Sequence, residues 1–403
     1  MRRPIEPDAV DLSGERPGVV ARRSFLGLLG AGLAAASMPG QAAAVPVEPD
    51  RRIPEGFRRG DGSFTDPPVI QDPAAVQLDQ NENPLAPSVE ERRALADALE
   101  LANRYPDAEG RLVRRLADHH SVDPDSILMG CGSTEMLKVC PDAVMGRGTE
   151  MVQAFPTYPT IDRYARVRGG KVISVPVDEE GRADLAAMRG EVSRRTRILY
   201  LCNPNNPTGR IIPVREMERT LAEVGPKTLI VVDEAYHEFV DHPEYESMLS
   251  RAAGRPGLVV LRTFSKVYGL AGMRVGYAVG HIDTIEGLRP HRLVLNLNNP
   301  AIFAAMAALD DAALQVETVE MNRSARESLQ REIPSFGGRP LPSQAGFVWA
   351  DFGRPTRPIR DALAERHVYV RTYRHSPRHL RISTGMPEQL TVLYEAMEQV
   401  IGG

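Results

Sequence analysis

Three short apolar runs in this chain each lead into a residue type that can do chemistry. Leu258-Val259-Val260-Leu261 is followed by Thr263-Phe264-Ser265-Lys266. Leu229-Ile230-Val231-Val232 is followed by Asp233-Glu234-Ala235-Tyr236, and Ile198-Leu199-Tyr200-Leu201 by Asn203-Pro204-Asn205-Asn206-Pro207-Thr208-Gly209. Short apolar runs bounded by turn formers read as buried strands. A lysine, an acid with a nearby tyrosine, and an asparagine therefore stand just past three strand ends, where open parallel sheets bind their ligands. Singly, each has an ordinary explanation: a solvated lysine, a helix cap, or a turn in which Pro fixes φ and Gly permits φ > 0. Together, in this order, they point to one site.

The residue types specify the chemistry. A free lysine amine has a pKa near 10.4, so only about one in a few thousand is nucleophilic at pH 7. Condensed with an aldehyde it becomes a Schiff base that an incoming amine can displace. Released, it can move a proton. A carboxylate next to a ring nitrogen keeps that nitrogen protonated, as an opposite charge at close range does. Lys266, Asp233 and Tyr236 are the candidate catalytic residues. Asn206 and Tyr236 can both hydrogen-bond a ring hydroxyl oxygen. This is the equipment for holding pyridoxal 5'-phosphate and using it as an electron sink.

A phosphate needs its own seat. Gly130-Cys131-Gly132-Ser133-Thr134-Glu135 opens a helix predicted over residues 134–139. Gly132 allows close backbone approach, Ser133 and Thr134 offer hydroxyls, and a helix N-terminus presents free N–H groups and a positive dipole end.

With these residues in this order, the chain resembles a fold-type I pyridoxal-phosphate-dependent aminotransferase of class I/II, and within it the histidinol-phosphate aminotransferase branch. The resemblance runs from about Val76 to the C-terminus and includes Leu78-Asp79-Gln80-Asn81-Glu82-Asn83-Pro84 and Arg104-Tyr105-Pro106-Asp107. It implies an α/β fold, with a large domain built on a mainly parallel seven-stranded sheet and a smaller α+β domain. It implies that Tyr158, in Phe155-Pro156-Thr157-Tyr158, stacks on the pyridine ring, and that Thr263, Ser265 and Arg274 hold the cofactor phosphate. Arg offers a planar donor fork suited to phosphate. Tyr105 would reach the cofactor phosphate of a partner subunit, so a homodimer is implied. Arg381, in Leu380-Arg381-Ile382, would pair with a substrate carboxylate, a bidentate geometry that fixes orientation. Arg371 would meet a distal substrate phosphate, and Asn83 is a further substrate-binding candidate. Where the family has Asn and Asp in the phosphate turn, this chain has Cys131 and Thr134, which leaves the backbone cradle intact.

The elements that must position these groups fall into five stretches. Residues 1–44 read as a twin-arginine signal peptide: Ala21-Arg22-Arg23-Ser24-Phe25-Leu26 opens a short Gly/Ala-rich apolar stretch, and Gln41-Ala42-Ala43-Ala44 ends it. That stretch is too short for a comfortable membrane span. Cleavage after Ala44, passage through the twin-arginine machinery and a periplasmic or secreted location are expected. Residues 45–73 read as a linker or N-terminal arm and 74–102 as the first part of the small domain. Residues 103–300 read as the large cofactor-binding domain and 301–403 as the rest of the small domain. Helices are predicted over 214–224, 302–309 and 360–366, with strands near 346–351 and 380–383.

Composition agrees with an enzyme acting on small molecules. The chain has 403 residues and a formal net charge of −4, so no nucleic-acid partner is implied. Its three cysteines (Cys131, Cys140 and Cys202) cannot all pair within one chain, and no Cys/His spacing suggests a metal. Cys131 and Cys202 read as buried structural thiols. The basic run 371–379 reads either as a solvated face or as a seat for an acidic substrate. Arg289-Pro290-His291-Arg292 departs from the family pattern and hints at altered substrate preference or a dimer contact. The leading expectation is transamination between an amino acid or amino-phosphate donor and a 2-oxo acid acceptor. Amino-acid oxidation, β-elimination or racemisation would use the same lysine and acid, and a non-enzymatic cofactor-binding domain is the remaining alternative.

Overall fold

A computed structural model describes residues 75–402 of the chain. The expected leader (1–44) and the linker (45–73) lie outside the described residues. In chain order the strands are β1 (Val76–Leu78), β2 (Ile127–Cys131), β3 (Glu150–Phe155), β4 (Lys171–Pro176), β5 (Thr196–Cys202) and β6 (Leu229–Asp233). Next come β7 (Leu258–Thr263), β8 (Val275–Gly280), β9 (Arg339–Pro340), β10 (Phe347–Asp351), β11 (Val368–Tyr373) and β12 (Ser376–Ser383).

Seven strands form one sheet in the order β2-β8-β7-β6-β5-β3-β4, parallel except where β8 pairs antiparallel with β2 and β7. The period-2 alternation of a strand explains why its central runs are apolar throughout. Ile230, Val232, Leu199 and Val260 point into one apolar layer. Val231, Ile198, Val259 and Leu261 point into the other. With helices on both faces, neither set can be polar. The three chemically loaded turns therefore emerge side by side, because β5, β6 and β7 are adjacent and parallel.

The second sheet has the order β1-β11-β12-β10-β9. Its apolar face (Val348, Ala350, Val370, Leu380, Ile382) packs with Leu78 and with Leu329 and Leu393, from the helices Ala312–Glu332 and Pro387–Ile401. Its other face carries Arg371, Arg381 and Trp349, which are cross-strand neighbours.

Several boundaries differ from those expected from sequence. The helix predicted over 134–139 spans Ser133–Val144 and continues through Pro141. One missing N–H costs less than its buried Met136, Leu137, Val139 and Cys140 gain. The helix predicted over 302–309 is Asn299–Asp310, started by the Asn298 side chain, which accepts from the Ala301 N–H. That predicted over 360–366 is Arg357–Ala364, and the strand predicted over 380–383 extends back to Ser376. Cys131 is half-buried, whereas Cys140 and Cys202 are buried, and all three are free thiols.

Beneath the β6 and β7 ends lies a buried polar cluster. Arg262 pairs with Glu234 at 2.8 Å and with Glu238 at 3.4 Å. Both Glu234 oxygens are used, accepting from Ser247 Oγ (2.7 Å) and the Met248 N–H (2.7 Å). Around it, His120 meets the Tyr277 hydroxyl at 2.7 Å and His237 meets that of Tyr245 at 3.1 Å. Burial, with the nearby Arg262 charge adding to it, lowers both imidazoles to about 3. The sign follows directly. Above the ordinary histidine value of 6.5, folded and unfolded chains are equally neutral at these sites. Below it the unfolded chain takes up protons that the native state refuses, so stability falls from pH 6.5 toward 3. Chemical denaturation at pH 7.5 and pH 5 should show His237→Phe losing less stability on acidification than the wild type. An equal loss in both would show that His237 contributes nothing to the pH dependence.

Candidate active site

A cavity of about 450 Å³ lies between the parallel-strand ends and the second sheet. It is lined by Ser133, Thr134, Tyr158, Asn206, Asp233, Tyr236, Thr263, Ser265, Lys266, Arg274, Arg371 and Arg381. Twelve of the residues singled out from sequence thus converge on one space. Gly132 stands just behind its wall, where its N–H donates to the Arg274 carbonyl at 2.9 Å.

At one end the groups form an anion seat. The helix Ser133–Val144 begins after Gly132 with no side-chain cap, so its first amides are not taken by a capping oxygen. Ser265 Oγ accepts from Thr263 Oγ1 (3.0 Å) and from Arg274 Nη1 (3.3 Å). Arg274 holds a left-handed backbone (φ 59°) that turns its guanidinium back over the seat. Gly132 has φ +71°, and a Cβ there would lie 2.5 Å from Arg274 Nη2. A Cβ on Gly276 would lie 2.2 Å from the Ser133 N. These two glycines permit β8 and the turn to approach this closely. Gly276 was not identified from sequence. Its signal is weak, a glycine inside a strand pattern.

In the middle of the cavity, the Asp233 carboxylate is 3 % exposed. It accepts from Tyr200 Oη (3.0 Å) and the Ala235 N–H (3.2 Å). Burial pushes its pKa up to about 6, only partly opposed by those hydrogen bonds. Among the described residues no cation is bonded to it, and a buried carboxylate in that position is costly unless a positive group joins it.

Lys266 Nζ donates to the Asn81 carbonyl at 2.6 Å. Burial first, then the Arg381 charge, lower its pKa to about 8. The neutral amine is then roughly one in ten at pH 7, against about one in a few thousand for a free lysine. Burial raises the Tyr236 phenol, keeping it a hydroxyl. That hydroxyl accepts from Asn81 Nδ2 (2.9 Å) and Asn206 Nδ2 (3.5 Å). Arg381 Nη1 donates to Asn206 Oδ1 at 2.9 Å and Nη2 donates to the Asp79 carbonyl. Its buried Nε has no partner among the described residues.

One placement expected from sequence changes. Asn83 lies outside this cavity, its amide spent on the Val267 carbonyl and Thr318 Oγ1, both at 3.2 Å. Its carbonyl oxygen caps the Leu85 N–H. The asparagine inside is Asn81, two residues earlier, buried with φ 55°. It touches Lys266, Tyr236 and Ser383, whose hydroxyl donates to its Oδ1 at 2.9 Å. Tyr105 is 81 % exposed and away from the cavity of its own chain. Tyr373 was missed. It lines the cavity with Arg371 because residues two apart on β11 share a face, and Arg381 lies 5.9 Å over its ring. Arg292 is not free to meet a substrate: Nη2 donates to Glu109 Oε2 (2.5 Å) and Asn296 Oδ1 (2.6 Å).

The donor set fits pyridoxal phosphate. The seat supplies hydroxyls, amides and a guanidinium for a phosphate, with close-approach glycines behind them. The uncompensated Asp233 suits a protonated ring nitrogen, and Lys266 is the amine for an aldehyde.

Comparisons with known proteins agree. Residues 73–397 match the family described as aminotransferase class I and II. The chain is 36 % identical over 330 residues to the histidinol-phosphate aminotransferase of Moorella thermoacetica, covering 81 % of this chain and 85 % of that one. It is 34 % identical over 373 residues to histidinol-phosphate aminotransferase 2 of Pseudomonas fluorescens, covering 91 % and 98 %. Among solved structures, the Sinorhizobium meliloti histidinol-phosphate aminotransferase in complex with pyridoxal-5'-phosphate superposes with a TM-score of 0.77. It shows 29 % identity and covers 81 % of this chain and 90 % of that one.

Proposed function

The chain belongs to the class I and II aminotransferase family, and from that premise we propose that it moves an amino group between a donor bearing a carboxylate or phosphate and a 2-oxo acid. The observation that carries the reading is the joint placement of Lys266, Asp233 and Arg381 around one cavity with an anion seat at its end. Pyridoxal phosphate is the family's cofactor and supplies an aldehyde for the amine and a sink for electrons.

The chain's own residues have separable tasks. Ser133, Thr134, Thr263, Ser265 and Arg274 bind phosphate, and Tyr158 covers the ring. Asp233 holds a proton at the ring nitrogen. Tyr236 and Asn206 hold a ring oxygen. Lys266 Nζ takes up and returns protons near neutral pH, as its value of about 8 allows. Arg381 orients an acidic group of the substrate, already aligned by Asn206 and the Asp79 carbonyl. Arg371, its cross-strand neighbour, adds a second guanidinium on the same face. The pair suits donors with an anionic group, histidinol phosphate among them.

The test is an absorbance titration of the purified holoenzyme with amino acids and histidinol phosphate. A donor-dependent change in the cofactor band, reversed by a 2-oxo acid with ping-pong kinetics, is expected. Ammonia or peroxide released without an oxo-acid acceptor would favour the lyase or oxidase reading instead.

A homodimer is part of this reading. Exposed Tyr105 and the exposed Leu293, Val294 and Leu295 suit a partner surface. Arg292 ties the loop bearing those three to Glu109, close in sequence to Tyr105. A monomeric mass by light scattering on active enzyme would refute the dimer. The twin-arginine-like leader supports export of the folded enzyme, with its cofactor, through the twin-arginine machinery. An uncleaved leader on cytoplasmic protein would count against it.

A further inference from the structure

The helix Ala312–Glu332 presents three buried polar side chains at four-residue spacing: Thr318, Asn322 and Arg326. A spacing of four places them on one face. Buried polar groups on a core-facing stripe are costly unless each has a partner. Here the stripe touches the three loops that carry the site. Thr318 Oγ1 accepts from Asn83 Nδ2 (3.2 Å), next to the Asn81 segment. Asn322 Oδ1 accepts from Thr384 Oγ1 (2.8 Å), directly after Arg381-Ile382-Ser383. Arg326 donates to the Phe239 carbonyl (3.2 Å) and to Asp241 (2.7 Å), shortly after Tyr236.

One group on this face is left over. Asn322 is 1 % exposed, and its Nδ2 has no hydrogen-bond partner among the described residues. Beside it is a cavity of about 10 Å³ lined by Asn81, Glu82, Asn83, Lys266, Thr318 and Asn322, among others. That is roughly the volume one water needs, and a water there needs two to four polar partners. Thr384 also lines it, so Asn322, Thr318, Thr384 and Lys266 bring polar side chains to a wall otherwise closed by Pro84, Phe239 and Met321.

We propose that this small cavity is a resident-water site, and that Asn322 is a positioning residue which, through that water, holds the Asn81–Asn83 backbone against Lys266. The Asn81 carbonyl is the acceptor for Lys266 Nζ, so a loosened segment would misplace the amine when it moves a proton. Substrate binding would be affected less, since Arg371 and Arg381 are held by β11 and β12. The kinetic part of this inference rests on the transamination reading. The water itself does not.

The experiment is a high-resolution crystal structure of the wild-type holoenzyme, with kinetics of Asn322→Leu and Asn322→Ser. Expected are density for one water within hydrogen-bond reach of Asn322 Nδ2 and a fall in kcat of about tenfold in Asn322→Leu, the scale of one lost buried hydrogen bond. KM should stay within about twofold. Asn322→Ser removes the same bond to Thr384 but leaves room for water, and should recover most of kcat. An empty cavity in the wild type overturns the proposal, as does equal kcat in the Leu and Ser variants. If Asn322→Leu fails to fold, the wild-type density decides. Failure of transamination itself would appear as absent wild-type turnover, whatever the density shows.

Discussion

Lys266→Ala is expected to lower turnover by about 10⁴-fold or more while the protein still binds cofactor. Lys266 is the one lysine among the residues lining the cavity, and its amine is held by the Asn81 carbonyl at 2.6 Å. No neighbour can take its place. Tyr236 keeps its proton because burial raises its pKa. Cofactor retention follows from the separation of tasks, since the phosphate seat is built from other residues. Equilibrium dialysis should therefore show binding, and the kinetics should show near-complete loss. A small primary amine added to the variant should restore part of the rate, because the missing group is an amine. Turnover within about tenfold of the wild type would overturn the assignment of Lys266.

Asp233→Asn should lower kcat by about 10²- to 10⁴-fold, the range for loss of one positioned proton-holding group. Asparagine has similar volume and can still accept from Tyr200, but carries no charge to keep a ring nitrogen protonated. The same substitution should stabilise the cofactor-free protein. In that state the carboxylate is buried, and its pKa is raised from 3.8 to about 6. A raised folded value means that stability is present below 3.8 and lost as pH rises through 6. That rise corresponds to about 3 kcal/mol at neutral pH. Asp233→Asn should remove this loss, so its advantage over the wild type should grow between about pH 4 and pH 6. Denaturant midpoints of cofactor-free proteins across that range provide the check. An advantage that does not vary with pH would mean that Asp233 is not strained by burial. Lower activity together with higher cofactor-free stability would mark a carboxylate held for function.

Much of the site was legible in the sequence because its parts are local. Lys266, Asp233, Tyr236 and Asn206 follow apolar runs whose parallel pairing brings their ends together, and that pairing is written in the continuous apolar pattern of β5, β6 and β7. The phosphate turn announces itself by Gly, Ser and Thr before a helix. Pairing of Arg371 with Arg381 required only that a basic run be a hairpin. Helix starts were less legible, because capping by Asn298 and continuation through Pro141 depend on neighbours and buried area.

By itself, then, the sequence determined the chemistry and the strand ends that carry it, since residue type and period-2 or turn patterning act within a few positions. The tertiary structure decided which asparagine of Asn81-Glu82-Asn83 enters the cavity, because that choice is made by Ser383 and Thr318, 302 and 235 residues away. It decided that Gly276 must lack a side chain, because Ser133 approaches it from another strand end. It also decided that Asp233 is left uncompensated while its neighbour Glu234 is saturated by Arg262, Ser247 and Met248. Asp233 is the last residue of β6 and Glu234 the first beyond it, and only the packed neighbours determine which of the two meets a cation.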